Sequence, residues 1–380
     1  MEMIKLCEPD IDQREYSVIK KVLESGWLAH GEYNKRFESE FAEYIGTEYA
    51  ITLNSCTSAL ELALLAQDIK GEVILPSFTW NASANSIVTT GGTPVFVDVN
   101  YDDCNINTDL IEEKVTDKTE AIMPVHYAGQ ACDMDEIIRI AEKHNLKIIE
   151  DSAETIGGEY KNKKTGNFGI GCFSFFPTKN MTTCEGGMIT TNDSKLAKKI
   201  KSLSSHGVSS HTIERENKKY AWYRDAHYPG YNYRMPNILA AMGCVQLSKL
   251  DEMNSKRREI ANRYNSSFTN IDKIAIPYES SNCTHVYQMY TIKIKDSNYS
   301  ERDKFVSHLR AEGIEASVHF SPPVHLQTYY KTTHKLDNLP VTKLLSDTIV
   351  SLPIHSRMSI EDTNRVVSTV KRYFETIFNE

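Results

Sequence analysis

The chain has 380 residues, of which 40% are hydrophobic and 25% are charged, and its formal net charge is −8 at pH 7. This composition is typical of a globular protein with more than one core, and the acidic balance argues against a general nucleic-acid surface. No apolar run approaches the roughly 20 residues that a membrane span requires, and the N-terminus lacks the apolar core of a secretion signal.

Over the first half of the chain the predicted elements alternate between helix and strand. Helices are predicted at 10–25 and 34–45, with a turn around Gly26 and Gly31 between them. In chain order there follow strand 49–54, helix 57–66, strand 72–75, helix 81–89, strands 94–99 and 121–125, helix 134–144, and strands 147–150, 172–176 and 188–191. Such alternation predicts a largely parallel sheet with helices on both faces.

Beyond residue 236 the order of the elements changes. The pattern predicts a long helix over 236–268, strand 289–294, helix 302–312, strand 316–320 and a final helix over 360–378. We therefore expect an α/β fold with a large domain over residues 1–250, including the N-terminal helices, and a small α+β domain over residues 251–380.

Three polar clusters follow predicted strands, where an open α/β sheet binds its ligands. Cys56 and Thr57 begin a helix whose N-terminus suits a phosphate, although hydroxyl residues are also common helix caps. Asp151 follows a strand directly and fits either a catalytic carboxylate or a helix cap. Lys179 lies in an aromatic, hydroxyl-rich stretch, whereas most lysines are solvated surface groups.

Taken together, the three clusters are what pyridoxal phosphate requires. The lysine holds the cofactor, the carboxylate keeps the pyridine nitrogen protonated, and the ring then withdraws electrons from the substrate carbon. Trp80 is placed to stack on the ring face. We therefore expect a pyridoxal phosphate enzyme with Lys179 as its catalytic residue.

Long stretches of the chain carry a resemblance to a known family. They include NSCTSALELAL, PSFTWNASANSI, IIEDSAETIGGEY, CFSFFPTKNMTTCEGGMITTND, GYNYRMPNILAAMGCVQLSKL and GIEASVHFSPPVHLQTYY. The chain resembles the DegT–DnrJ–StrS family of sugar aminotransferases over nearly its whole length. The resemblance implies the aspartate aminotransferase fold, in which a large, mainly parallel mixed sheet carries a small C-terminal domain.

The resemblance also implies roles for single residues of the cofactor site. Lys179 matches the Schiff-base lysine, Asp151 the partner of the pyridine nitrogen and Trp80 the stacking aromatic. The phosphate contacts fall to Cys56, Thr57 and Ser174, and to Asn232 reaching from a second subunit. Asn232 thus implies a homodimer with two shared active sites.

Glu154 departs from the commonest family pattern, which has Gln at this position beside the ring hydroxyl. A carboxylate beside a phenolate-like oxygen is unfavourable unless one of the two holds a proton. Some members that resemble perosamine synthases also carry Glu here, so the departure does not argue against activity.

The resemblance implies transfer of an amino group from L-glutamate to a nucleotide-linked deoxy-keto-sugar. The stretch TTCEGG after Lys179 favours carbon 4 over carbon 3, as in perosamine synthases. His319, His325 and Arg224 are candidates for substrate binding, and for each histidine a hydrogen-bonded loop position is an equal alternative.

Two other functions remain open from the sequence. One is a pyridoxal phosphate-dependent deoxysugar dehydratase, although a dehydratase branch of the family carries His in place of Lys179. The other is a non-catalytic regulator, which would not need Lys179, Asp151 and the phosphate turn together.

The eight cysteines are scattered and form no C-x-x-C pair, which favours free thiols in the cytoplasm and gives no support for a metal site.

Overall fold

The computed structural model describes residues 3–208, 222, 224–333 and 338–377. Within these residues the helices are α1 (Gln13–Ser25), α2 (Glu32–Ile45), α3 (Cys56–Ala66), α4 (Asn81–Thr89), α5 (Met134–His144), α6 (Ser194–Leu203), α7 (Asn237–Phe268), α8 (Tyr299–Ala311), α9 (Thr328–Thr333), α10 (Pro340–Thr348) and α11 (Ile360–Ile377). The strands are β1 (Tyr49–Leu53), β2 (Glu72–Pro76), β3 (Thr93–Val97), β4 (Thr119–Ile122), β5 (Lys147–Asp151), β6 (Glu159–Tyr160), β7 (Lys163–Lys164), β8 (Ile170–Ser174), β9 (Gly187–Thr191), β10 (Ile274–Ala275), β11 (Cys283–Thr284), β12 (Tyr290–Ile294) and β13 (Ile349–Leu352).

The central feature is a seven-stranded sheet with the strand order β1-β9-β8-β5-β4-β2-β3. Neighbouring strands pair in parallel except at β9, which runs antiparallel to both β1 and β8. Strands β8 and β9 are buried along their whole length, as expected for strands covered on both faces. The predicted α/β fold with a large, mainly parallel mixed sheet is therefore confirmed.

Alternate side chains of the strands enter different cores, because successive residues of a strand point to opposite faces of the sheet. On one face, Leu75 and Cys172 pack with residues of α3, α4 and α6. On the other, Ile74 packs with α5, and Phe173 packs with α2 and the first half of α7. Helices therefore cover both faces, as the sequence predicts.

A second core lies around a three-stranded antiparallel sheet with the order β10-β12-β13. Ile4 and residues of α8, α11 and the second half of α7 pack on this sheet. Helix α7 joins the two cores. Leu250 packs in the core that contains Phe173 and α2, and Tyr264 packs in the core of the small sheet. The boundary predicted at 250/251 falls inside this helix, so the division into two domains stays a prediction.

One predicted strand is wrong. Residues 316–320 form no strand: Ser317 pairs with Ser351 in an isolated bridge. Pro322 and Pro323 follow closely, and proline has no N–H to extend a ladder. The structure also adds α6, α10 and β13, which the sequence pattern left unassigned.

In the ranges described above, none of the helices has both the length and the apolar character needed to cross a membrane.

Candidate active site

A cavity of about 390 Å³ lies at the carboxyl ends of the parallel strands. The residues that line it come from the strand ends of the central sheet, the N-terminal segment and the small sheet: Leu6, Cys7, Ser55, Cys56, Thr57, Leu60, Thr79, Trp80, Ala82, Val125, Asp151, Ala153, Glu154, Ser174, Phe176, Thr178, Lys179, Glu185, Gly186, Gln288, Met289, His319, Phe320, Ser351, Leu352 and Ile354. Most of the candidate residues named from the sequence thus meet in one place.

Lys179 projects its amino group into this cavity from the turn after β8. The backbone N–H of Lys179 donates to Phe176 O at 2.9 Å, which fixes the turn. The Nζ atom lies 3.3 Å from Glu154 Oε1, and the two side chains are only 15% and 9% exposed. Glu154 Oε2 in turn accepts the N–H of Ala128 at 2.9 Å. The lysine is therefore held in the cavity and is not a solvated surface group.

Asp151 ends β5 at the floor of the cavity. Its Oδ2 accepts the hydroxyl of Ser83 at 2.7 Å, and its Oδ1 accepts the N–H of Ala153 at 3.2 Å. Thr79 Oγ1 lies 2.8 Å from Ser83 Oγ, so a hydroxyl pair on one side orients the carboxylate. Burial raises the pKa of Asp151 against the opposing effect of these hydrogen bonds. A cation placed beside this carboxylate would relieve the cost of burying its charge.

The N-terminus of α3 forms an anion cradle at another wall of the cavity. Ser55 caps the helix by accepting the N–H of Ser58 at 3.1 Å, and its carbonyl accepts the N–H of Ala59. The first turn of a helix leaves four N–H groups without a helical partner. With Ser58 capped, the remaining three belong to Ser55, Cys56 and Thr57, which all line the cavity.

The start of β9 approaches this helix end closely. A Cβ atom on Gly187 would lie 2.4 Å from both the carbonyl carbon and the oxygen of Ser55. Ser174 stands nearby with its hydroxyl accepting the N–H of Phe176 at 3.4 Å. Free backbone donors at a helix N-terminus with a neighbouring hydroxyl fit a phosphate group.

Trp80 forms part of the wall above the floor. It precedes α4 and is 64% exposed, and its ring centroid lies 6.2 Å from that of Phe320. Phe320 packs in turn against Phe78 and Tyr127. An aromatic face that is supported on one side and open on the other suits a stacked ring.

His319 closes the cavity on the side of the small sheet. Its Nδ1 lies 2.8 Å from Ser351 Oγ, and Tyr127 donates its hydroxyl to His319 O at 2.7 Å. Burial lowers the pKa of His319, the nearby Lys179 lowers it further, and Glu154 opposes both. The imidazole is therefore neutral at neutral pH.

Three candidate residues lie outside this cavity. His325 is buried behind it, with Nδ1 only 2.6 Å from Ser77 Oγ, which matches the alternative of a hydrogen-bonded loop position. Arg224 and Asn232 are exposed. Both belong to the stretch over 206–233, of which 209–221 and Tyr223 lie outside the described residues.

Several residues of the site carry no local signal in the sequence. Leu6 and Cys7 enter the cavity wall from the N-terminal segment, and Gln288 donates to Thr178 O at 2.9 Å, next to the lysine. Ser83 could have been found, because it lies one helical turn beyond Trp80 in the same motif.

Comparison with known proteins identifies the chain. The model of the DegT/DnrJ/EryC1/StrS aminotransferase family matches residues 9–371. The chain belongs to this aminotransferase family. Residues 9–371 include every candidate residue of the site.

Relatives of this aminotransferase family match the chain over its whole length. The spore coat polysaccharide biosynthesis protein SpsC of Bacillus subtilis is 38% identical over 96% of this chain and 95% of its own. Spr1654 of Streptococcus pneumoniae in its PMP form has a TM-score of 0.93 at 30% identity, covering 98% of this chain and 100% of its own. Helicobacter pylori PseC, an aminotransferase involved in the biosynthesis of pseudoaminic acid, has a TM-score of 0.92 at 29% identity, covering 99% and 100%.

These likenesses establish the cofactor class. Spr1654 has also been solved in its PLP form, and the family is dependent on pyridoxal phosphate. The site of this chain fits that group, because it offers a buried carboxylate, a buried lysine and a helix N-terminus around one cavity. The predicted cofactor, pyridoxal phosphate, is therefore confirmed. The chain is a sugar aminotransferase by family and fold.

Proposed function

We propose that this aminotransferase moves an amino group from L-glutamate to the carbon 4 keto group of a nucleotide-linked deoxy-keto-sugar. The observation that carries the proposal is the convergence of Lys179, Asp151 and the N-terminus of α3 on one cavity. When bound, pyridoxal phosphate supplies an electron sink that stabilises negative charge on the substrate carbon. The chain's own residues supply binding, orientation and proton movement.

Each of these residues has a defined part. Cys56, Thr57 and Ser174 would hold the phosphate, and Trp80 would lie against the ring. Asp151 would hold positive charge on the pyridine nitrogen.

Lys179 holds the cofactor and moves the proton. With the cofactor in place, Lys179 Nζ would take a proton from one carbon and return it to another. Glu154, 3.3 Å from Nζ, orients the amine for this transfer.

The sugar acceptor is supported by the names of the relatives. SpsC belongs to polysaccharide biosynthesis and PseC to the biosynthesis of pseudoaminic acid. The choice of carbon 4 rests on the stretch Thr182–Gly187, which resembles members that aminate this position. His319 is the candidate residue placed to contact the sugar, and Arg224 is proposed to meet the diphosphate from the exposed loop.

We propose a homodimer with shared active sites. Asn232 is exposed and stands apart from the cavity of its own chain, as expected of a residue that serves a second copy. We also propose a cytoplasmic location, since all eight cysteines are free thiols in the structure.

The test is a two-stage assay on the purified protein loaded with pyridoxal phosphate. Adding L-glutamate should change the absorbance band of the bound cofactor, and adding a 4-keto nucleotide sugar should restore it. A panel of 3-keto and 4-keto sugars carried by GDP, UDP and dTDP then identifies the acceptor. Lys179→Ala should abolish both changes, whereas Lys195→Ala on the exposed start of α6 should leave them intact.

The outcomes separate the three functions left open by the sequence. Absorbance changes with release of an amino sugar support the aminotransferase. Loss of water from the sugar without nitrogen transfer would indicate a dehydratase. A protein that binds the cofactor but responds to neither substrate would contradict the proposal and favour the regulator.

A further inference from the structure

The proposal above places His319 against the sugar but gives no role to Ser351, the residue that contacts its ring. His319 Nδ1 lies 2.8 Å from Ser351 Oγ, and both residues line the cavity. Ser351 is 1% exposed and lies in β13, paired through its backbone with β12. Ser351 of the small sheet therefore holds the imidazole ring of His319 at the edge of the cavity.

The geometry decides which of the two atoms donates the hydrogen bond. A neutral imidazole has one N–H and one acceptor nitrogen, and a serine hydroxyl can do either. If Ser351 O–H donates to Nδ1, a single bond satisfies both groups. If Nδ1–H donates instead, the buried hydroxyl hydrogen of Ser351 is left without an acceptor in the described part of the chain, which is unfavourable.

We infer that Ser351 is a positioning residue that fixes His319 as the tautomer with its hydrogen on Nε2. Two further contacts restrict the histidine. The Tyr127 hydroxyl donates to the carbonyl oxygen of His319 at 2.7 Å, and Phe320, the next residue, packs among aromatic rings. Because burial keeps the imidazole neutral, the choice of tautomer determines whether His319 presents a donor or an acceptor.

The consequence, which rests on the proposed function, is a hydrogen-bond donor for the acceptor sugar. The Nε2–H of His319 makes no bond within the described residues and borders the cavity. It can donate to the keto oxygen of the sugar, where negative charge grows as the amine nitrogen adds to the carbonyl carbon. The opposite tautomer would present a lone pair to that oxygen and would repel it.

The first test needs no substrate. Nitrogen-15 NMR of the histidine-labelled holoenzyme distinguishes the two neutral tautomers, and His319→Gln assigns the signal. We expect wild-type His319 to carry its hydrogen on Nε2, and Ser351→Ala to shift part of the population to the other tautomer. Ser317→Ala, which removes a hydroxyl from the neighbouring segment without touching the ring, should change nothing. A wild-type hydrogen on Nδ1, or a spectrum unchanged in Ser351→Ala, would overturn the inference.

The second test separates the two half-reactions. Ser351→Ala should lower kcat/KM for the acceptor half-reaction about tenfold, as expected for one misplaced hydrogen bond, and leave the glutamate half-reaction within about twofold. Adding Ser351→Ala to His319→Leu should cause no further loss, because the serine acts through the histidine. Equal losses in both half-reactions would contradict the inference even where sugar amination itself is confirmed.

Discussion

Asp151 is a functional residue whose buried charge lowers the stability of the folded protein. Burial raises its pKa, so the folded protein without cofactor disfavours the charged carboxylate. For an acid with a raised folded-state pKa, this penalty is present above the folded pKa and disappears below the unfolded value of about 4. The buried charge of Asp151 therefore destabilises the folded protein until a cation binds beside it.

Asp151→Asn should raise the melting temperature of the cofactor-free protein at pH 7, because the amide carries no buried charge. The gain should shrink as the pH falls toward 4. Activity should fall at least roughly a hundredfold, since an electrostatic partner of the reacting ring is lost. Thermal unfolding across this pH range and the two-stage assay measure both effects. A variant less stable than wild type at pH 7 and equally so at pH 4 would contradict the argument.

Glu154 is the second residue whose charge can be tested. Its Oε1 lies 3.3 Å from Lys179 Nζ, so the carboxylate orients the amine. Glu154→Gln should lower turnover in the two-stage assay about tenfold, because the amine loses a charged hydrogen-bond partner. Glu185→Gln, at another wall of the cavity, is the matched control. Unchanged turnover would remove Glu154 from the chemistry of the site.

At the residue scale, the site residues that lie at strand ends could be predicted from the sequence. Asp151 ends a strand of the central sheet, and Lys179 and the Cys56–Thr57 turn each follow one, so their meeting could be predicted from the order of the elements. Ser351 and Gln288 could not, because their part depends on how the small sheet packs against the large one. The two alternatives for His325 could not be separated, since a histidine shortly after two prolines looks the same whether it faces a cavity or a buried serine.

At the scale of elements, the close approach of β9 to α3 shapes the phosphate cradle. Gly187→Ala would place a Cβ 2.4 Å from the backbone of Ser55, so the strand or the helix end must move. We expect a loss of about 1–3 kcal/mol in unfolding free energy and at least roughly tenfold weaker cofactor binding. Denaturant unfolding and cofactor titration check the two effects.

Gly158→Ala is the control for this substitution. A Cβ at Gly158 would meet its nearest atom, Thr155 O, at 3.2 Å, which a shift of a few tenths of an ångström relieves. Its stability loss should be smaller and its cofactor affinity unchanged. Equal cofactor affinities in the two variants would mean that the cradle does not depend on this approach.

Two of the elements that the sequence pattern missed, α10 and β13, lack local boundary signals. Helix α10 takes its cap from Asp98, which accepts the N–H groups of Val341 and Thr342 across the fold. Its start therefore lacks the local Ser, Thr, Asp or Asn signal that marks most helix N-termini. Strand β13 follows directly, so no turn residues separate the two elements.

At the scale of the whole molecule, the proposed homodimer makes a quantitative prediction. Lys179→Ala and Asn232→Ala should each be poorly active alone at limiting cofactor. If Asn232 serves the partner's site, a hybrid of the two variants contains one intact site and one doubly defective site. Random mixing should restore about a quarter of wild-type activity.

The mixing experiment requires that subunits exchange, for example by refolding the two variants together. Separately refolded variants that are combined afterwards provide the baseline. If Asn232 acts within its own chain, no hybrid contains an intact site and no activity returns. That result would contradict the shared site without touching the chemistry of Lys179.

The composition of the cavity wall has a consequence for the order of events during protein synthesis. Leu6 and Cys7 are synthesised long before Ser351 and Ile354, which belong to the same wall. The nascent chain can form the central sheet and its phosphate cradle long before the opposite wall exists. The complete wall of the cofactor cavity can therefore form only after Ile354 has been synthesised.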